Sequence, residues 1–309
     1  RGDLQGRLGQ IDAALESYAQ AEELYRSEKD NLGLANVLSS RGDLQRRLGQ
    51  IMITYSIISK PGEREVNEDS LDILESNTLF LFALADGLGG HGHGCEASSL
   101  AVSHAVSAAE TCQDPEKKLA QCFLNAQQAI MQQQAQRNLS AEMKTTMVCL
   151  HLEGDIARWG HVGDSRLYMF RGGRLFFQTK DHSVPQILVS SGEISEKDIR
   201  GHEDRNRLIR VLGMEWTSPK YELSQPVKLK KGDAFLLCSD GFWEWIVEGG
   251  MQKSLRKASS PADWLAHMED IVLKNGRGKN MDNYSAIAIM YQGAVSNGYS
   301  EMSSRTLLR

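Results

Sequence analysis

Five acidic residues in this chain, Asp69, Asp86, Asp164, Asp240 and Asp282, each sit in a short motif carrying glycine, asparagine or serine, and together they span more than two hundred residues. We read them as one metal site. An EF-hand gathers its oxygen ligands within about a dozen consecutive residues, so carboxylates this far apart must be brought together by a fold. Oxygen donors without a Cys or His cluster point to Mg²⁺ or Mn²⁺ rather than zinc, which favours nitrogen and sulfur. The chemistry that suits such a site is phosphoryl hydrolysis. Two ions about 3.5–4 Å apart can clamp a water, lower its pKa from 15.7 towards about 7 and neutralise charge on the phosphate. Enzymatic accelerations of phosphate monoester hydrolysis reach on the order of 10²¹.

Four of the five acids adjoin runs that read as buried strands: TLFLFALADG (78–87), ARWGHVGDSR (157–166), DAFLLCSDG (233–241) and DNYSAIAIMY (282–291). Carboxylates at one edge of paired strands can converge. After Asp86 come Gly87, Gly89, Gly90, Gly92 and Gly94, a turn in which backbone can approach ions or phosphate without a Cβ in the way. It lacks the lysine of a P-loop and the spacing of a dinucleotide fingerprint. The turn opens a helix over 95–110, with Ala, Leu and Val at helical spacing. Further helices are expected over about 115–138 and near 261–275.

The motifs REVNED (64–69), ADGLGGHGHG (85–94), the pair Thr145 and Thr146, GDSR (163–166), KDHS (180–183), RNRLIRVLG (205–213), LLCSDGFWEWI (236–246) and DNYSAIAI (282–289) occur in one order. Through them, residues from about 52 to 293 resemble the metal-dependent protein phosphatase family, type 2C, in its bacterial form. The resemblance implies an α+β fold, a four-layer α-β-β-α sandwich of two antiparallel sheets with the metals in the cleft between sheet edges. It also implies hydrolysis of phosphoserine or phosphothreonine by direct attack of a water activated between two Mg²⁺ or Mn²⁺ ions, without a phosphoenzyme. Asp86 would be the carboxylate shared by both metals, with the Gly87 carbonyl completing one site and Asp240 and Asp282 holding the second. Asp164, with Asp240, matches a weaker third-metal position. Asp69 would orient metal-bound waters. Arg64 matches the guanidinium that grips the substrate phosphate, a task that suits its planar fork. His91 matches the general acid that protonates the leaving seryl or threonyl oxygen. The segment 183–207 corresponds to a flap that shapes substrate choice.

Each element also has a plainer reading. A lone Asp at a strand end is ordinarily a turn or helix cap, GDSR could form a hairpin turn, and Arg64 could be a surface charge. His93 follows His91 by two residues, so either could face the metals. His182 is read as a hydrogen-bonded structural residue, Thr145 and Thr146 as strand packing, and Trp243 and Trp245 as core.

At its front end the chain carries an internal repeat: RGDLQGRLGQ (1–10) recurs as RGDLQRRLGQ (41–50). The unit resembles a tetratricopeptide-like helical hairpin. About one and a half units are present, fewer than the three or so such an array needs to bury its faces. After residue 50 the sequence switches to the β-branched run IMITYSIIS (51–59). We therefore divide the chain into a helical repeat fragment (1–50), a phosphatase domain (51–293) and a polar, flexible tail (294–309). Whether residues 1–50 are native, truncated or fused is open, and the chain's opening on Arg reads as a fragment. The repeat's expected role is protein docking; the alternative is a packing remnant.

The 309 residues have a net charge of −5 and no basic tract, so no nucleic-acid partner is expected. No apolar run reaches about 18 residues, so no membrane span is expected. Five cysteines without CxxC spacing point to reduced thiols and a cytoplasmic setting. The expected partners are phosphorylated proteins, with a cognate Ser/Thr kinase or its substrates among them. Two rival functions stand beside this one: a weakly active phosphatase-like scaffold serving the repeat, and a small-metabolite phosphatase of the same fold.

Overall fold

The structure is a computed structural model that describes residues 17, 20, 51–76, 79–88, 93–139 and 142–294. The repeat at 1–50 lies almost wholly outside these residues, as does the tail beyond 294. By contacts the chain divides into a unit of Ile53–Gly293 and another comprising Arg1–Met52 with Ala294–Arg309.

In the Ile53–Gly293 unit the longest apolar runs become central strands because both of their faces are covered. Strand β3 (Leu79–Leu88) lies between β2 (Asp69–Glu75) and β5 (Met147–Glu153), and the sheet continues through β6 (Ile156–Val162) to β10 (Val227–Lys228). Two short strands flank this path: β4 (Lys144–Thr145) pairs β3, and β9 (Glu222–Leu223) pairs β6. The second sheet has the order β1 (Ile51–Lys60), β12 (Tyr284–Ala294), β11 (Ala234–Cys238), β7 (Arg166–Arg171), β8 (Arg174–Gln178). From β12 to β8 and throughout the first sheet the ladders are antiparallel.

Alternation along β3 sends Leu81, Ala83 and Ala85 towards helices α1 (His93–Thr111) and α2 (Pro115–Arg137), whose buried Ala97, Ala101, Ala105 and Phe123 complete that layer. Small residues along α1 permit this close approach. The second sheet is covered by α5 (Glu248–Lys257) and α6 (Pro261–Gly276), through Met251, Trp264 and Met268 on Tyr168, Leu236 and Ala286. Between the sheets Trp159 of β6 meets Phe235 of β11, ring centroids 6.4 Å apart. The expected α-β-β-α layering is present. Local signals set the helix ends: Asp114 caps α2 by accepting from the Glu116 amide at 3.0 Å, and Ser260 caps α6 by accepting from the Asp263 amide at 3.1 Å.

One connection differs from its plainer reading. The GDSR turn is no hairpin, because β6 belongs to one sheet and β7 to the other. It carries the chain across the sandwich, and Asp164 sits at the crossing. The segment after β8 contains α3 (Val184–Ser191) and a 3-10 turn over Glu196–Gly201.

Candidate active site and metal centre

All four acids expected to bind metal reach one cleft of about 440 Å³ between the sheet ends, where Asp86, Asp164, Asp240 and Asp282 share the lining with Arg64 and Gly87. Different elements deliver them. Asp86 lies near the end of β3, directly opposite Asp69 on β2. Asp164 follows β6, Asp240 begins the short helix α4 (Asp240–Trp243) behind β11, and Asp282 lies two residues before the start of β12.

The backbone around these acids is held by hydroxyls and amides whose residue types suggest only strand packing. Thr146 Oγ1 accepts from the Asp86 amide at 3.0 Å, and the Thr146 amide donates to the Asp86 carbonyl at 2.9 Å. Thr145 Oγ1 donates to that same carbonyl at 2.8 Å, while Thr146 Oγ1 lies 2.7 Å from Ser165 Oγ. The threonine pair thus ties the Asp86 strand to the GDSR turn. Trp243, buried as expected, also donates its indole N–H to the Asp164 carbonyl at 3.0 Å. Its ring supports the buried Arg166 guanidinium, 3.4 Å from centroid to Cζ, and Arg166 forks onto Asp181 at 2.8 and 2.7 Å. Trp245, by contrast, is only partly buried.

Gly87 is required by close approach: a Cβ there would lie 2.3 Å from the Gly94 carbonyl oxygen and 2.8 Å from that of Glu68. Asn283 holds the loop that carries Arg64. Its Nδ2 donates to the carbonyls of Pro61 and Val66 at 2.9 and 2.8 Å, and its Oδ1 accepts from the Glu68 amide at 2.8 Å. Arg64 itself forks onto Asp282 at 3.1 and 3.0 Å. Neither Asn283 nor Ser239 was singled out from sequence, although each lies inside a motif that was. Ser239 Oγ donates to Asp69 Oδ2 at 2.7 Å and accepts from the Ser285 amide at 2.9 Å.

So many carboxylates in one place repel one another. Burial, then Asp69, Asp240 and Asp164, pushes Asp86 well above the usual carboxylate range. Burial, then Asp240 and Asp181, does the same to Asp164. Asp240 is pushed up to about 7 by burial, then by Glu244 and Asp282, and Asp69 to about 6 by burial above all. Asp69 Oδ1 is buried with no partner. An all-oxygen donor set with surplus negative charge and an unpaired buried oxygen fits divalent Mg²⁺ or Mn²⁺, which would relieve the repulsion.

The two histidines after Asp86 fare differently. His91 lies outside the described residues. His93 begins α1 with Nε2 3.5 Å from Glu142 Oε2. His182 also stays outside the cleft lining.

The protein phosphatase 2C family model matches residues 60–284. The serine/threonine phosphatase Stp of Listeria welshimeri is 32% identical over 212 residues, 65% of this chain and 82% of that protein. The serine/threonine protein phosphatase PstP of Mycobacterium tuberculosis is 29% identical over 245 residues, 78% of this chain and 46% of that protein. The crystal structure of the Mycobacterium tuberculosis phosphatase PstP/Ppp superimposes with a TM-score of 0.66 at 28% identity, covering 78% of this chain and 98% of the other. A structure of the PstP catalytic domain in complex with two manganese ions gives a TM-score of 0.64 at 26% identity, over 78% of this chain and 99% of that one. With its matched segment carrying the four cleft acids and Arg64, the chain belongs to the protein phosphatase 2C family.

Proposed function

We propose that this protein is a metal-dependent protein serine/threonine phosphatase whose active site is the acidic cleft. The observation that carries the reading is the convergence of Asp86, Asp164, Asp240 and Asp282 with Arg64 from five separate parts of the chain. Asp86, the Gly87 carbonyl, Asp240 and Asp282 would hold the Mg²⁺ or Mn²⁺ pair, and Asp164 with Asp240 a weaker third ion. When bound, such ions neutralise phosphate charge and supply a nucleophilic water near neutral pH.

The chain's own groups do the rest. Arg64 presents a planar fork at the mouth of the cleft, suited to two non-bridging phosphate oxygens. Its Nε–Nη2 edge bonds Asp282, which leaves the Nη1–Nη2 edge for the phosphate. Asp69, braced by Ser239, leaves Oδ1 free to orient water beside Asp86. His91 is the proposed acid for the leaving alkoxide. Val66, 56% exposed at the cleft rim, and Leu208 give the pocket an apolar border that a peptide flank can cover.

We further propose that phosphoproteins, among them a Ser/Thr kinase or its targets, are the substrates, in a cytoplasmic signalling setting, and that the repeat at 1–50 docks them. The five cysteines are free, which suits a reducing compartment, and no helix among the described residues is long and apolar enough to cross a membrane. Release of phosphate from a phosphothreonine peptide with Mn²⁺, with EDTA and in Asp240→Asn tests the reading. Turnover should require the metal and fall more than about 100-fold in the variant, since disturbing even the partners of metal ligands costs 10–100-fold. A rate indifferent to EDTA would overturn it.

A further inference from the structure

Outside the cleft, His161, His182 and Glu222 bring three potential ligand atoms within 4.8 Å of one another. Their hydrogen bonds argue against a metal. The Gly163 amide donates to His182 Nδ1 at 3.1 Å, so that nitrogen carries no proton. The neutral ring then bears its proton on Nε2, the atom that would have to ligate. His161 Nε2 donates to the Lys180 carbonyl at 2.7 Å, and its ring stacks on that of His182 with centroids 4.6 Å apart. His182 Nε2 faces Glu222 Oε1 at 3.2 Å. The cluster is therefore a mechanical one.

What it grips is the residue before Asp164. His182 binds both polar groups of Gly163: its ring accepts the Gly163 amide, and its own amide donates to the Gly163 carbonyl at 2.9 Å. Gly163 has a φ of +96°, and a Cβ there would lie 2.6 Å from Thr146 Cγ2, so the peptide leading into Asp164 is confined from both sides. The carbonyl of His182 in turn accepts from the Ile209 amide at 2.8 Å. That strand-like contact, with the Ser183–Leu208 bridge, anchors the segment that brings Asn206 and Leu208 to the cleft.

We propose that His182 is a positioning residue for the weaker metal site: its imidazole fixes the Gly163–Asp164 peptide, and so the aim of the Asp164 carboxylate, while its backbone ties that peptide to the Asn206–Leu208 wall. The inference rests on the reading of Asp164 as a metal ligand. Partners one step removed from a metal typically contribute 10–100-fold to affinity. His182 acts through one amide, so the effect should fall on one site.

The test is calorimetric titration of Mn²⁺ into EDTA-stripped full chain. Wild type should show a weak class of binding that Asp164→Asn removes. If Asp164→Asn leaves the isotherm unchanged, the ligand assignment fails and the proposal fails with it. His182→Phe keeps the ring stack but has no acceptor; it should weaken the weak class about tenfold or more while leaving the tight pair within about twofold. His182→Asn, whose amide oxygen can accept the Gly163 amide, should recover most of the loss. Wild-type affinity in folded His182→Phe, or equal loss in both variants, overturns the proposal. Should His182→Phe fail to fold, ¹⁵N spectra of the wild type decide: adding Mg²⁺ should shift His182 Nδ1 in wild type and not in Asp164→Asn, and an unmoved wild-type resonance is the refuting result.

Discussion

Replacing Asn283 with Ala should both destabilise the protein and loosen its grip on substrate. The side chain is 6% exposed and makes three hydrogen bonds, to the Pro61 and Val66 carbonyls and from the Glu68 amide. At a net value of about 1 kcal/mol each, their loss comes to about 3 kcal/mol. For a unit of this size about 2–4 °C accompanies each kcal/mol, so the melting temperature should fall by roughly 6–12 °C. The same bonds shape the loop that holds Arg64. Once they are gone, ordering the Arg64 side chain on each binding event costs about 0.5–1.5 kcal/mol, which raises KM for a phosphothreonine peptide by up to about tenfold. Asn283→Asp keeps the acceptor for the Glu68 amide but loses both donors and adds charge beside Asp282, so it should retain part of the stability and little of the substrate binding. Urea unfolding and steady-state kinetics with Mn²⁺ provide the two readouts. A loss below about 1 kcal/mol in Asn283→Ala, with KM unchanged, would refute the idea that this side chain holds the Arg64 loop.

The acidic cleft makes the EDTA-stripped protein sensitive to base. The folded-state pKa of Asp240 (about 7) and that of Asp69 (about 6) lie above the ordinary 3.8, so the folded state binds more protons in between. Stability is then full below about pH 4 for these groups and is lost as pH rises through 6 to 7; melting curves should show this loss, and Mg²⁺ should abolish it. His151 acts in the opposite sense: burial lowers its pKa to about 4, neither ring nitrogen has a hydrogen-bond partner although Nε2 lies 3.5 Å from Glu153 Oε2, and its contribution is lost as pH falls from 6.5 towards 4. His151→Met should remove that acid sensitivity and raise stability by about 1 kcal/mol, and an unchanged acid limb would refute this. Deleting residues 1–50 should leave turnover of a small phosphorylated substrate near wild type while lowering activity on a phosphoprotein; loss of the small-substrate activity would sink the two-module division.

The acids were legible because each sits in a motif whose order along the chain is distinctive, and the strands beside them are uninterrupted apolar runs. The helices at 93–111 and 115–137 were legible for the same kind of local reason, spacing and caps. The wiring behind the acids was not. Thr146 reads as a β-branched strand residue, yet its hydroxyl links residues sixty and nineteen positions away. Asn283 reads as a neighbour of Asp282, yet its amide serves a loop more than two hundred residues earlier. Hydrogen bonds of that range leave no periodicity or composition to detect. GDSR looked open to a hairpin because a four-residue turn carries no mark of which sheet the next strand joins.

By itself, then, the sequence determined which elements would form and which carboxylates were available, since apolar periodicity, caps and motif chemistry are local properties. The tertiary structure decided what those carboxylates are: crowded into one cleft, they repel each other and are pushed above the usual carboxylate range, and Asp69 Oδ1 is left without a hydrogen-bond partner. It also turned His182 from a loop histidine into a clamp on Gly163. Electrostatic coupling and hydrogen bonding depend on distances through space, and those exist only once the two sheets have closed on each other.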